Sequence, residues 1–218
     1  MKKSKFSLVE RTEFYMIHFQ EPARMFSSAP FKGGTGSCST FINRHVDIDY
    51  NHDVESECTR FLREYMIEES DTTITLTAAD VSKRKIFLNE DSTIFIIATS
   101  GLNNALSVGS IGYHSAGTIN IAVVADIPLS DSAAINLIQS SVEAKSQAMN
   151  DAGVRDMTTG DPSPGTSTDS ISLFITDHGK SEKFAGRITP HGRIISMEIY
   201  RMVMSFAKEE LENGKHHR

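Results

Sequence analysis

The sequence lacks the features of disulfide-stabilised, secreted or membrane-spanning proteins. It has two cysteines, Cys38 and Cys58, too few for a disulfide framework, so we expect free thiols in a reducing cytosol, although one pairing between them is left open. No run of about 18 apolar residues occurs. The basic start at residues 1–5 is not followed by the apolar stretch of a signal peptide. These absences predict a cytoplasmic protein without a membrane segment.

A long basic run is also missing. Lys and Arg number 22 against 28 Asp and Glu, which gives a formal net charge of −6. A mildly acidic chain has no general electrostatic attraction to nucleic acid or to an anionic membrane, so neither is an expected partner. Hydrophobic residues make up 39% and charged residues 23%, as in ordinary globular proteins. The 218 residues suffice for one domain or two small ones, and we expect a single domain over 1–218.

Strand-like and helix-like patterns alternate along the chain. Runs rich in β-branched and aromatic residues predict strands at Phe14–Phe19, Thr72–Thr77, Thr93–Thr99, Thr118–Val124 and Ser170–Thr176. Apolar residues at helical spacing predict helices over Asp53–Glu69, over Leu129–Ala152 and from Thr189 to near Gly214. The pattern favours an α/β or α+β fold in which a mixed sheet is packed with helices. The strand order and the oligomeric state, including a homo-oligomer, are left open.

The second predicted helix carries a lysine on its apolar side. Its expected stripe consists of Ile135, Ile138, Val142 and Met149, and Lys145 falls beside it. Such a lysine either extends to solvent or is partly buried with a partner, and a buried lysine is a candidate base or donor. Glu143 lies off this stripe, where a solvated position is expected.

A long polar loop precedes the last predicted strand. Residues 156–169 read DMTTGDPSPGTSTD, which is typical of a flexible linker and also of a functional loop inside a compact chain. Thr166 or Thr168 is a candidate nucleophile, with Asp169 as the group that orients a base. The alternative is a set of turns in which these side chains bond their own backbone.

Three other segments are candidate sites. Thr118 and Asn120 share one face of the strand that Gly117 opens, as site residues or as a solvated face. Residues 33–37 are glycine-rich but lack the phosphate-binding P-loop pattern, so they predict a tight loop beside a pocket. The acid and histidine cluster over His45–Asp53 matches no helix-borne metal-ligand spacing, although a metal-dependent hydrolase using it is an alternative.

Short motifs in a fixed order resemble the adenosylcobinamide amidohydrolase family. They cover roughly residues 20–205. They are Phe26-Ser27-Ser28-Ala29 with Gly33-Gly34, Ile42-Asn43-Arg44-His45-Val46, Thr77-Ala78-Ala79-Asp80-Val81, a glycine-leucine-x-asparagine-alanine turn at Ser100–Ala105, Gly117-Thr118-Ile119-Asn120-Ile121, Glu143-Ala144-Lys145, Gly165-Thr166-Ser167-Thr168-Asp169, and Ala185-Gly186 with Thr189 and Gly192. The chain departs from the family pattern at Val142, at residues 161–164 and at His191.

The resemblance implies hydrolysis of adenosylcobinamide to adenosylcobyric acid and (R)-1-aminopropan-2-ol, with the corrinoid as substrate and no cofactor or metal required. Amide hydrolysis needs a nucleophile, an oxyanion donor and a proton for the departing amine. The expected catalytic residues are Glu143, Lys145, Thr168 and Asp169. The expected substrate-binding residues are Gly34, Asn103, Thr118, Asn120, Gly165 and Thr166. Glu143→Gln and Lys145→Ala are each expected to abolish turnover. A non-catalytic corrinoid-binding protein is the alternative.

Overall fold

Eight strands and three helices form the chain in a computed structural model, which describes residues 5–112, 117–179 and 181–214. The strands are β1 (Phe6–Glu10), β2 (Phe14–Ser27), β3 (Gly34–His45), β4 (Thr72–Thr77), β5 (Lys85–Leu88), β6 (Ile94–Ser100), β7 (Ile119–Ala125) and β8 (Ser170–Ile175). The helices are α1 (Val54–Glu64), α2 (Asp131–Asp151) and α3 (Pro190–Glu212), and a 3-10 turn covers Val81–Lys83. No helix in these described ranges is both long and apolar enough to cross a membrane.

All eight strands join one mixed sheet. Its order is β4-β3-β2-β8-β7-β6-β5, and β1 pairs with β2 outside this path. The pairs β3–β4 and β7–β8 are parallel, whereas the other pairs are antiparallel. The expected mixed sheet packed with helices is confirmed, as an α+β single domain.

The sheet has different neighbours on its two faces. The helices α2 and α3 cover β6, β7 and β8 on one side, and the apolar side chains between them form the largest core cluster. On the other face, Ala122, Val124 and Phe174 pack against Tyr15 and Phe41, which come from the β2–β3 half of the sheet. The sheet therefore curls over itself, which brings β3 and β4 close to β6 and β7.

The strand predictions fell short where glycine or proline interrupts a strand. The strand predicted to end at Phe19 continues through Pro22 to Ser27, with a register shift between His18 and Ala23 that accommodates the missing N–H of proline. Residues 33–37 were predicted to form a tight loop. This prediction is wrong from Gly34 onward, because residues 34–37 pair with β2 and form the start of β3. The sequence patterns also did not predict β1, β3 and β5 as strands.

The helix predictions hold better at their starts than at their ends. Ser130 and Thr189 cap α2 and α3 by accepting from Ala133 N and Gly192 N. The first predicted helix is too long, because α1 ends at Glu64 and Met66 adopts a positive φ of 54°.

The stripe predicted for α2 is wrong at two of its four positions, whereas Met149 is buried and Ile138 packs against the core. Ile135 and Val142 are exposed, and the buried face consists of Ala133, Ala134, Leu137, Ser140, Ser141, Ala144, Lys145, Ala148 and Met149. Small side chains let this helix approach the sheet and α3 closely, so the buried face is not the most hydrophobic one.

Candidate active site

Three segments meet at one end of the sheet. The parallel strands β7 and β8 begin side by side, with Asn120 opposite Ser170. The turn after β6 reaches the same place, because Ala105 forms a backbone bridge with Thr166. The helix α2 runs behind these strand ends and contributes Lys145. Residues far apart in the chain thus lie around the Gly165–Asp169 loop.

A buried ion pair lies at the centre of this arrangement. Lys145 is 7% exposed, and its ammonium group is paired with Asp169 Oδ2. The same carboxylate accepts hydrogen bonds from Ile119 N at 3.0 Å, from Thr166 N at 3.1 Å and from Thr166 Oγ1 at 2.6 Å. The lysine is therefore partly buried with a partner and does not extend to solvent.

Gly165 is required by the closeness of this pair to the loop backbone. A Cβ atom at this position would lie 2.1 Å from Asp169 Oδ2 and 2.2 Å from Lys145 Nζ. Both distances are shorter than any van der Waals contact, so a larger residue would displace the ion pair or the loop. Gly117 is similarly confined, because its Cβ would lie 2.5 Å from Asn104 Oδ1.

A buried network of amides and hydroxyls continues from the loop into the curled sheet. Thr118 Oγ1 donates to Thr168 O at 2.9 Å, and it lies 3.2 Å from Asn120 Oδ1. Asn120 Nδ2 donates to Asn43 Oδ1 at 2.7 Å and to Leu76 O at 2.8 Å. Asn43 also contacts the hydroxyls of Thr75 and Thr99, at 2.8 and 3.0 Å. The pair Thr118 and Asn120 is thus buried, and it is not a solvated face.

The loop before β8 is ordered around another buried carboxylate. Asp156 is 2% exposed and accepts from Ser107 N, Ser107 Oγ and Thr158 N at 2.7–2.9 Å. The hydrogen bond from Ser107 N lowers the pKa of Asp156 far below its usual value, against the opposing effect of burial. Segment 156–169 is therefore tied to the turn after β6, which is inconsistent with a plain linker.

A cavity of about 370 Å³ opens beside this loop. Asn104, Ala105, Leu106, Asp156 and Ser167 are among the residues that line it. Ser167 follows Thr166, and Ala105 is the bridge partner of Thr166, so the cavity lies beside the Gly165–Asp169 loop. Thr166, Lys145 and Asp169 are not among the residues that line it. The cavity has the volume of a small-molecule site, although it is much smaller than a whole corrinoid.

Asn104 is a site residue that the sequence reasoning missed. It is 8% exposed, and its Nδ2 donates to Ser167 Oγ at 2.7 Å, whereas Oδ1 has no hydrogen-bond partner among the described residues. The neighbouring Asn103 was predicted instead, and it is exposed and lines a different cavity. The signal was in the glycine-leucine-x-asparagine-alanine turn, whose asparagine position corresponds to 104.

The other predicted site residues are distributed unevenly. Thr118, Asn120, Lys145, Gly165, Thr166 and Asp169 come together, and Thr168 joins them at the surface, where its hydroxyl donates to Gly117 O at 2.9 Å. Gly34 lies elsewhere, exposed at the start of β3 opposite Ser27. Glu143 is about half-exposed and forms an ion pair with Arg187 at 2.9 Å, so it does not join the cluster.

The His45–Asp53 segment does not form a metal centre. His45 Nδ1 bonds Ala79 O at 3.0 Å, and Asp53 caps α1 by accepting from Ser56 N at 2.9 Å. Over residues 5–112, 117–179 and 181–214, no group of three or more His, Cys, Asp or Glu side chains is arranged to hold a metal ion.

A family model described as adenosylcobinamide amidohydrolase matches residues 1–214. The chain belongs to the adenosylcobinamide amidohydrolase family. This confirms the resemblance seen in the motifs and identifies the chain as an amidohydrolase. The Gly165–Asp169 loop, Lys145 and the Gly117–Asn120 strand, which carried much of that resemblance, are the segments that meet around the buried ion pair.

The remaining comparisons add little. The search of curated proteins finds no match. Among solved structures, the PH0078 protein from Pyrococcus horikoshii OT3 is 11% identical; the match covers 95% of this chain and 78% of that one, with a TM-score of 0.38. A similarity this low supports no argument about fold or function.

Proposed function

We propose that the protein hydrolyses adenosylcobinamide to adenosylcobyric acid and (R)-1-aminopropan-2-ol, as a step of corrinoid salvage in cobalamin biosynthesis. The observation that carries this proposal is the buried Lys145–Asp169 pair, which holds the Thr166 hydroxyl in the loop whose next residue, Ser167, lines the 370 Å³ cavity. The family match supports the reaction class. The amide-bearing side chain of the corrinoid enters the cavity, and the macrocycle stays outside because of its size.

Thr166 is the proposed nucleophile. Its hydroxyl already donates to Asp169 Oδ1 at 2.6 Å, so Asp169 is placed to accept the proton as the Thr166 oxygen attacks the amide carbon. The ammonium group of Lys145 positions the carboxylate and balances its charge. The carbonyl oxygen becomes an oxyanion at this step.

The same groups complete the reaction. Asn104 Nδ2, which lines the cavity, is the proposed donor to the oxyanion. The carbon–nitrogen bond then breaks, and the departing amine takes the proton from Asp169. Water attacks the resulting ester with Asp169 as base, and the Thr166 oxygen recovers a proton as the corrinoid acid is released. These steps need only water and the chain's own side chains.

Thr166→Val tests the nucleophile, because valine preserves the shape and removes the hydroxyl. We expect turnover to fall by about 10³-fold or more, and Ser167→Ala, which removes the adjacent hydroxyl, to have a smaller effect. In the competing route Asp169 activates water directly, and Thr166→Val would then keep most of its activity. A threonyl ester trapped by acid quenching and found by mass spectrometry would support the covalent route.

The overall proposal is tested by incubating the protein with adenosylcobinamide and analysing the corrinoid by mass spectrometry. Formation of the corrinoid acid with release of aminopropanol is expected, and it should persist in a chelator. Binding without released aminopropanol would instead identify a non-catalytic corrinoid-binding protein. Loss of activity in the chelator, restored by a divalent metal, would favour a metal-dependent hydrolase.

A further inference from the structure

A second cavity lies next to the proposed active site. It has a volume of about 270 Å³. Gly101 and Asn103 line this cavity, whereas the next residues of the same turn, Asn104 and Ala105, line the 370 Å³ cavity. Residues of one turn line both cavities, so the two cavities are neighbours. A substrate with two projecting groups could place one group in each cavity.

The charge of the second cavity limits what it can bind. Asp80, Glu209 and Glu210 line it together with a single lysine, Lys83. All three carboxylates already have partners, since Glu209 pairs with Lys85, Glu210 accepts from Leu102 N and Asp80 accepts from Ser82 N. The excess of acidic groups disfavours phosphate or carboxylate ligands and favours an uncharged ligand with hydroxyl donors. Ribose hydroxyls are such donors, and proteins commonly bind them with Asp or Glu.

Two further lining residues suit a purine base. Asn103 is exposed and has no side-chain hydrogen bond among the described residues, so its amide offers a donor and an acceptor side by side. Asparagine uses this pair to bind N6 and N7 of adenine. His45 donates from Nδ1 to Ala79 O when its ring is neutral, which leaves Nε2 as an acceptor. Phe206 adds an apolar wall.

We propose that this cavity binds the adenosyl nucleoside of the corrinoid substrate, while the 370 Å³ cavity receives the side chain that carries the scissile amide. The assignment rests on the proposed function and adds a specificity site to it. Asn103, predicted above as substrate-binding, then acts on the nucleoside and takes no part in the chemical step.

The test compares adenosylcobinamide with dicyanocobinamide, which has the same amide and no nucleoside. For the wild type we expect a lower KM with the adenosylated substrate. Asn103→Ala should reduce this preference about tenfold, the effect of one or two lost hydrogen bonds, by changing KM more than kcat. Asn150→Ala, an exposed asparagine on α2, is the matched control and should keep the preference. Calorimetric titration with 5′-deoxyadenosine should show binding that Asn103→Ala weakens.

The possible results distinguish failure of the nucleoside site from failure of the proposed function. Equal kcat/KM for the two substrates in the wild type would overturn the nucleoside site and leave the proposed function intact. An equal loss on both substrates in Asn103→Ala would also overturn it, because the residue would then act on the shared part of the substrate. Failure of the wild type to hydrolyse either corrinoid would instead refute the proposed function.

Discussion

Among the described residues, the pairs Arg44–Glu57 and Lys145–Asp169 are both largely buried, and they differ in their surroundings. Arg44 Nη2 lies 2.7 Å from Glu57 Oε1, and the guanidinium stacks 4.4 Å from the Phe61 ring centroid. None of the four charged residues lines either cavity, but Ser167, in the loop that ends at Asp169, lines the 370 Å³ cavity. The Lys145–Asp169 pair instead carries a threonine hydroxyl and touches a loop with no room for a Cβ atom.

The difference shows that burial of charge alone does not identify a functional site. Both pairs are largely shielded from water, so each needs its partner to remain charged. Only the lysine pair holds a nucleophile candidate by a hydrogen bond, in a loop that reaches a cavity through Ser167. A nucleophile and a place for the substrate are the additional features that amide hydrolysis requires. We therefore expect the arginine pair to serve stability alone and the lysine pair to serve both stability and turnover.

The largest expected effect comes from removing one charge of each pair. Lys145→Met should lower kcat by about 10³-fold, because Asp169 loses the cation that positions it. Glu57→Gln should leave kcat of the folded enzyme unchanged and lower stability by about 2 kcal/mol, the value of a charged hydrogen bond. Steady-state kinetics and thermal unfolding measure both quantities. Equal kinetic effects of the two variants would remove the distinction between the pairs.

The two sides of α2 provide a control for this test. Glu143→Gln should retain turnover within about twofold of the wild type, because Glu143 pairs with Arg187 at the surface. This expectation replaces the one drawn from the sequence. Loss of turnover in Glu143→Gln with normal unfolding would restore that hypothesis and show that the helix or its side chain moves when substrate binds.

A smaller effect is expected when the loop is pushed against the lysine pair. Gly165→Ala places a methyl group within 2.2 Å of both charged groups, so we expect kcat to fall by about 10²-fold as the pair shifts. Gly36→Ala is the matched control, because its Cβ would meet nothing within 4 Å and its φ is not positive. Unchanged kcat in Gly165→Ala would mean that the ion pair tolerates displacement and is not needed in this geometry.

Much of the fold around the lysine pair could be predicted from the sequence, because local patterns place Lys145 on a helix and Asp169 before a strand. The five predicted strands all overlap strands of the structure, because runs of β-branched and aromatic residues are typical of buried strands. Local patterns do not predict the direct contact between Lys145 and Asp169, because that contact depends on how α2 packs across the sheet.

The missed features have physical reasons as well. Asn43 contacts Asn120 across 77 positions of sequence, and only the curling of the sheet brings them together. The buried face of α2 was misjudged because alanine and serine are buried there while Ile135 is exposed. Asn103 and Asn104 are identical in type, and burial alone distinguishes the surface residue from the one beside Ser167.

The smallest expected effect concerns the contribution of the arginine pair to stability in acid. Burial raises the pKa of Glu57, but the hydrogen bond and charge of Arg44 and the charge of Arg60 outweigh it, so this pKa lies below its usual value. The resulting stability is present above the unfolded-state pKa of about 4.3 and is lost as the pH falls through the folded-state pKa. Thermal unfolding followed by circular dichroism between pH 3 and 7 should therefore show a flatter pH dependence in Glu57→Gln than in the wild type. Glu90→Gln, at an exposed position, should keep the wild-type slope, and parallel curves for all three proteins would contradict the assignment.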